Sequence, residues 1–233
     1  MEFKEIAGTI KTEAPKFFIN FVAIFSAPSK NLPLVLQKKK KKEAAITAAF
    51  IYFSLCVIIV QVFLFPIYGM EVWAEKNLIY SLLTPIIFLL LSAAVLKISW
   101  KIVRYNASFW DYFILFCYQI GTLFTIFFFL FFVAIAFLRY HDPVKFTQAI
   151  GNNFFGHENQ IIYDYNSPVD LIYILLSAFA MVFSLIWFYR SWACYRYFHK
   201  SGRGISILVA ILFTVFSVGV WYLDMIVSKA LRP

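Results

Sequence analysis

Five stretches of this chain, residues 44–65, 78–96, 112–138, 171–189 and 205–225, run for 19 to 27 residues with almost no charge. A helix needs about 20 apolar residues to cross roughly 30 Å of hydrocarbon at about 1.5 Å per residue, so each run is long enough to span a bilayer. Composition agrees. The chain is 62% hydrophobic and 14% charged, against roughly 45–50% and 25% in soluble domains. Within hydrocarbon every backbone polar group must be paired internally, which leaves helices or closed barrels. The near-continuous apolar character lacks the alternation of a barrel strand. The expected class is therefore all-α: a polytopic membrane helical bundle with five transmembrane helices and an N-terminal interfacial helix.

Details of the runs refine this expectation. Gln61 is the only strongly polar residue of the first, and Pro66 is expected to close it. Pro85 predicts a kink in the second. The third would be roughly 40 Å long and must tilt or protrude. Trp73, Trp100, Trp110, Trp187, Trp192 and Trp221 all fall at or just outside run ends, where an indole N–H is expected to stay wet. The resulting map has a cytoplasmic segment (1–43), a transmembrane domain (44–227) with an outer loop (139–170), and an outer tail (228–233).

Orientation follows from the cations. Sixteen of the 21 Lys and Arg lie before the first run, between runs two and three, or between runs four and five. The opposite side holds Lys76, Arg139, Lys145, Lys229 and Arg232, together with Glu71, Glu75, Asp142, Glu158, Asp164, Asp170 and Asp224. The positive-inside rule then puts the N-terminus in the cytoplasm and the C-terminus outside. Lys38, Lys39, Lys40, Lys41 and Lys42 abut the first run. They read as a topological anchor and as contacts to anionic lipid, each worth about 1 kcal/mol near a charged surface. Held so close to a membrane, they do not suit nucleic acid despite the net charge of +9. Upstream, residues 14–25 (APKFFINFVAIF) are apolar but too short to span. They read either as an interfacial helix with Lys16 and Asn20 outward, or as a buried contact against the bundle.

No HExxH, GxSxG, Walker A or dinucleotide fingerprint occurs, and His141, His157 and His199 have no ligand spacing. The expectation is no enzyme, no cofactor and no metal. Cys56, Cys117 and Cys194 form no CxxC pair and read as small buried hydrophobes. Cys194, between Arg190 and Arg196, is also placed where reversible palmitoylation occurs. Polar residues within spans are costly and so are functional candidates. In the third run Asp111, Tyr118, Gln119, Thr122 and Thr125 recur at roughly helical offsets, with Gly121 beside them. The stripe could line a polar crevice, or fasten the bundle by interhelical hydrogen bonds. Arg104 is near enough in sequence to pair with Asp111. In the outer loop, Asn152, Asn153, His157 and Glu158 are candidate contacts to an external partner, and Phe146, Ile150, Phe154 and Phe155 could form an amphipathic piece.

A short apolar segment leads into Ala27-Pro28-Ser29-Lys30, then a basic stretch and the first run. The second run is followed by a basic turn and Ala107-Ser108-Phe109-Trp110-Asp111-Tyr112, and a glycine-bearing basic turn, His199 to Gly204, joins the last two. This order, from about Phe17 to Asp224, resembles the Yip1-like family of five-span membrane proteins, in particular its prokaryotic branch. The resemblance implies a cytosolic N-terminus, five helices and no catalysis; eukaryotic members act in vesicle traffic and contact small GTPases. Their Gly-Pro-containing cytosolic motif is absent here. The leading expectation is a membrane adaptor or scaffold in the cytoplasmic (inner) membrane of a bacterium, working through protein or lipid binding. The alternatives are a small transporter or channel subunit, requiring a homo-oligomer, and an immunity-type protein that captures a toxin through its outer loop.

Overall fold

The computed structural model describes residues 14–37, 42–68, 78–150 and 167–230, and among these the chain is helical with no strand. A 3-10 turn at Ala14–Lys16 leads into α1 (Phe17–Ser26) and α2 (Pro28–Gln37). These are followed by α3 (Lys42–Tyr68), α4 (Leu78–Ile102), α5 (Phe109–His141), α6 (Pro143–Ile150), α7 (Pro168–His199) and α8 (Arg203–Ala230). Three helices, α3, α5 and α7, are long and apolar enough to cross a membrane. With 33 residues, α5 is roughly 50 Å long, well beyond the hydrocarbon thickness.

Several boundaries differ from the sequence expectation. α3 continues past Pro66 to Tyr68, and α4 continues past Leu96 to Ile102. α7 extends ten residues past the apolar run, to His199, because Trp192, Cys194 and Tyr195 in that extension are buried. Cys194 is fully enclosed, so its thiol is closed to palmitoylation in the folded chain. The presumed outer loop begins and ends in helix: 139–141 belong to α5, 143–150 form α6, and 168–170 open α7. Of the aromatic piece assigned to it, Phe146 lies in α6, whereas Phe154 and Phe155 fall outside the described residues.

Tryptophan burial also departs from expectation. Trp110 is 42% exposed, but Trp100 is completely buried and its Nε1 meets no acceptor among the described residues. Trp192 is buried too, and its indole N–H donates to the Ser206 carbonyl at 3.2 Å. Proximity to a run end does not keep an indole wet when the helix continues beyond that end into a packed region.

The chain forms two compact units. The first comprises Met1–Leu55, Lys76–Thr122 and Tyr189–Pro233, and the second Cys56–Glu75 and Leu123–Phe188. In the first unit α5 is enclosed on every side: all eight residues from Tyr112 to Gln119 are buried, as expected of a helix apolar around its whole circumference. α4 buries Leu89, Ala93, Leu96 and Trp100 at intervals of four, three and four, and packs along α8. α8 itself buries Ser206 and Val209 and leaves Ile207, Leu208, Ile211 and Val215 exposed. In the second unit Ala134, Leu138 and Tyr173 form a core, against which Phe146 and Val169 pack.

Two helices of the first unit end in the same way. Tyr105 N–H donates to Trp100 O and Arg104 N–H to Lys101 O; Ser201 N–H donates to Arg196 O and Lys200 N–H to Tyr197 O. Each is the paired bonding of a Schellman cap, whose turning residue needs a left-handed backbone. Arg104 (φ 68°) and Lys200 (φ 50°) occupy those positions in place of glycine. A cation there offsets part of the strain through the negative end of the helix dipole.

Candidate functional site

The polar residues of α5 divide between its neighbours, because successive helical positions are about 100° apart. Tyr118 and Thr122 face α3. The Thr122 hydroxyl donates to the Tyr118 carbonyl at 2.8 Å, and Tyr52 of α3 lies 2.7 Å from the same oxygen. With the one hydroxyl proton of Thr122 committed to the carbonyl, Tyr52 is the donor. Its ring also packs at 4.5 Å from that of Tyr118 and at 5.1 Å from Phe17 of α1.

Gln119, completely buried, faces α7 instead. Its Nε2 donates to Ser191 Oγ at 2.7 Å, and its Oε1 accepts from the Tyr195 hydroxyl at 2.7 Å. Ser191 and Tyr195 are four residues apart and present both groups from one face of α7. Two turns nearer the start of α5, Tyr112 shares a 2.9 Å hydrogen bond with His199 Nε2. The imidazole lies 4.3 Å from the Trp100 ring and 5.5 Å from that of Tyr105, so one histidine joins the ends of α4, α5 and α7.

Asp111 serves the start of α5. Ser108 is the N-cap: its Oγ accepts from Trp110 N–H at 3.2 Å, while Asp111 Oδ2 accepts from Ser108 N–H at 3.2 Å. This reciprocal box satisfies two otherwise orphaned donors. The cation beside Asp111 is Lys42, with Nζ 3.4 Å from Oδ1 and 2.5 Å from Ser108 Oγ. Arg104, the expected partner, is instead the turning residue after α4.

Thr125 belongs to the second unit and is partly buried. Of the lysine run only Lys42 is described, as the first residue of α3; Lys38, Lys39, Lys40 and Lys41 lie outside the described residues, as do Asn152, Asn153, His157 and Glu158. In the second unit, the segment expected to lie outside carries an ion pair. Lys145 of α6 reaches Asp170 of α7 at 2.5 Å and Asp142 at 3.9 Å, with Asp170 completely buried. Asp142 also caps α6 by accepting from Lys145 N–H at 3.0 Å. Arg139 lies over the Phe146 ring at 5.6 Å.

Sequence reading singled out the α5 half of this network and missed Tyr52, Ser191, Tyr195 and the joining role of His199. Tyr52 sits inside an apolar run and Tyr195 in a mixed segment past one, so hydropathy flags neither. The available signal was the i, i+4 pairing of Ser191 with Tyr195. Chemically, the assembled groups are hydroxyls and one amide bonded to one another, an arrangement that fastens helices. Among the described residues no group of three His, Cys, Asp or Glu is placed to hold a metal ion. No protein-family model, curated protein or solved structure matches the chain.

Proposed function

We propose that the chain is a non-enzymatic five-span membrane protein, Yip1-like in architecture, that acts as an adaptor or scaffold through a membrane partner or lipid contact. α4, with 25 residues, and α8, with 28, supply the two spans beyond the three long apolar helices. The cation asymmetry favours a cytoplasmic N-terminus in a bacterial inner membrane, with the lysine run at anionic headgroups and α1 at the interface. One observation carries the choice of adaptor over transporter. Gln119 and Thr122, the most deeply buried polar side chains of the third span, are each bonded to a neighbouring helix. Groups used in this way hold a bundle together.

Two measurements test the reading. Cysteines introduced beside each terminus should label from opposite faces of sealed vesicles; labelling from one face rejects five spans. Vesicles carrying the purified chain should pass ions and small solutes no faster than protein-free vesicles. A flux abolished in a folded Asp111→Ala/Gln119→Leu chain would overturn the adaptor reading in favour of transport.

A further inference from the structure

α1 has two faces of similar apolarity and opposite burial. Phe17 and Ile24 are 4% and 1% exposed, whereas Phe18, Ile19 and Val22 are 68%, 70% and 61% exposed. Phe25, one turn on from Val22, is 39% exposed and continues the outward stripe. The level at which this stripe sits is set by what the inner face touches. Phe17 packs on Tyr52, and Phe17 and Asn20 line a cavity of about 10 Å³ with Ala48, Ile51, Tyr52 and Leu55 of α3. Those α3 residues lie roughly 9–20 Å along the helix from Lys42, inside its apolar run. At that level water would meet large bare side chains, whereas acyl chains would not be disturbed by them. α2 holds α1 in place: Asn31 Nδ2 donates to the Ala23 carbonyl at 2.6 Å, and Leu32 is fully buried. Lys16 and Lys30 are both exposed, one just before α1 and one just after it. Their aliphatic stems can reach headgroup phosphates from below.

We infer that α1 is a wedge seated in the leaflet at the Lys42 end of α3, with Phe18, Ile19 and Val22 among acyl chains. A helix lodged in one leaflet expands it and makes its host sensitive to curvature. The chain therefore favours membrane in which that leaflet is convex. This rests on the membrane-spanning reading, because the occupant is lipid.

The test uses the full-length chain with Val22→Cys carrying a nitroxide, in phosphatidylcholine/phosphatidylglycerol vesicles; the three native thiols are enclosed. Relaxation by oxygen and not by a water-soluble nickel chelate is expected. A label reached by nickel lies in water, and a label shielded from both is covered by protein, such as a second copy; either result overturns the wedge. In vesicles of mixed size, molecules whose Lys42 end faces outward should be enriched in the smallest, and a Phe18→Ser/Ile19→Ser/Val22→Ser chain should lose that enrichment. Equal enrichment of the two chains also overturns it. Alkaline extraction separates the two readings: release of the chain defeats spanning itself, whereas a retained chain with a water-exposed label defeats only the wedge.

Discussion

The Tyr195 hydroxyl donates to Gln119 Oε1 over 2.7 Å, with both side chains completely buried. Together with the bond from Gln119 Nε2 to Ser191, it makes one amide a double tie between α5 and α7 in the first unit, beside the Tyr112–His199 bond nearer the start of α5. Interhelical bonds in membranes average about 0.6 kcal/mol. Gln119→Leu removes two and buries the Tyr195 hydroxyl without this acceptor, so a loss of about 1–2 kcal/mol is expected. Ser191→Ala should cost less. Unfolding of the purified chain by graded SDS would measure both, and equal stability of Gln119→Leu and wild type would remove the tie.

Tyr52 separates two contributions. Tyr52→Phe gives up the bond to Thr122 and keeps the ring contacts with Tyr118 and Phe17; it should cost under about 1 kcal/mol. Tyr52→Ala loses the packing as well and should cost about 3–5 kcal/mol. Because Phe17 rests on this ring, hydrogen exchange in α1 should rise in the alanine chain and stay unchanged in the phenylalanine chain.

At Asp111, the capping box and the ion pair make different demands. The Lys42 and Asp111 side chains are 48% and 28% exposed, so their pairing should contribute at most about 1 kcal/mol. Asp111→Asn retains an oxygen for Ser108 N–H, whereas Asp111→Ala removes it, at a typical capping cost of about 1 kcal/mol. The alanine chain should therefore melt below the asparagine chain, and only wild type should show salt-dependent stability at this site. The reverse order of melting would contradict the box.

Lys145 and Asp170 form an uneven pair, since the lysine side chain is 24% exposed and the aspartate not at all. Lys145→Met leaves the buried carboxylate without its cation and should cost on the order of 3 kcal/mol. Lys145→Met/Asp170→Asn should recover most of that loss. A double substitution no better than the single one would show that the cost is packing and not charge.

Arg104 and Lys200 invite the opposite kind of change. Each holds a left-handed backbone that costs an L-residue roughly 1–2 kcal/mol. Glycine at either position should leave thermal stability equal or higher, and Lys200→Val should lower it. A glycine chain that melts lower would mean that the side chain contributes more than the strain it causes.

The apolar runs made the helices legible in the sequence, because lipid-crossing length and low charge are properties of a segment by itself. The features that depend on neighbours were not legible. α7 reaches His199 because Trp192 and Tyr195 find burial beyond Tyr189, whereas a hydropathy window reads Arg190 and Arg196 as the end of the span. Tyr118, Gln119 and Thr122 share a stripe on paper. Which of them meets α3 and which α7 depends on where those helices stand around α5. Asp111 had a cation nearby in sequence, Arg104, and took one 69 positions away, since the turn after α4 places Arg104 at a left-handed corner.

Cys56, Cys117 and Cys194 are fully enclosed, each on a different helix. While the fold is intact a bulky alkylating reagent has no route to them, so the rate at which wild-type protein takes up such a reagent counts excursions in which helices part. Three sulfurs on α3, α5 and α7 thus make the unaltered chain a reporter of its own breathing, helix by helix, in whatever membrane it occupies.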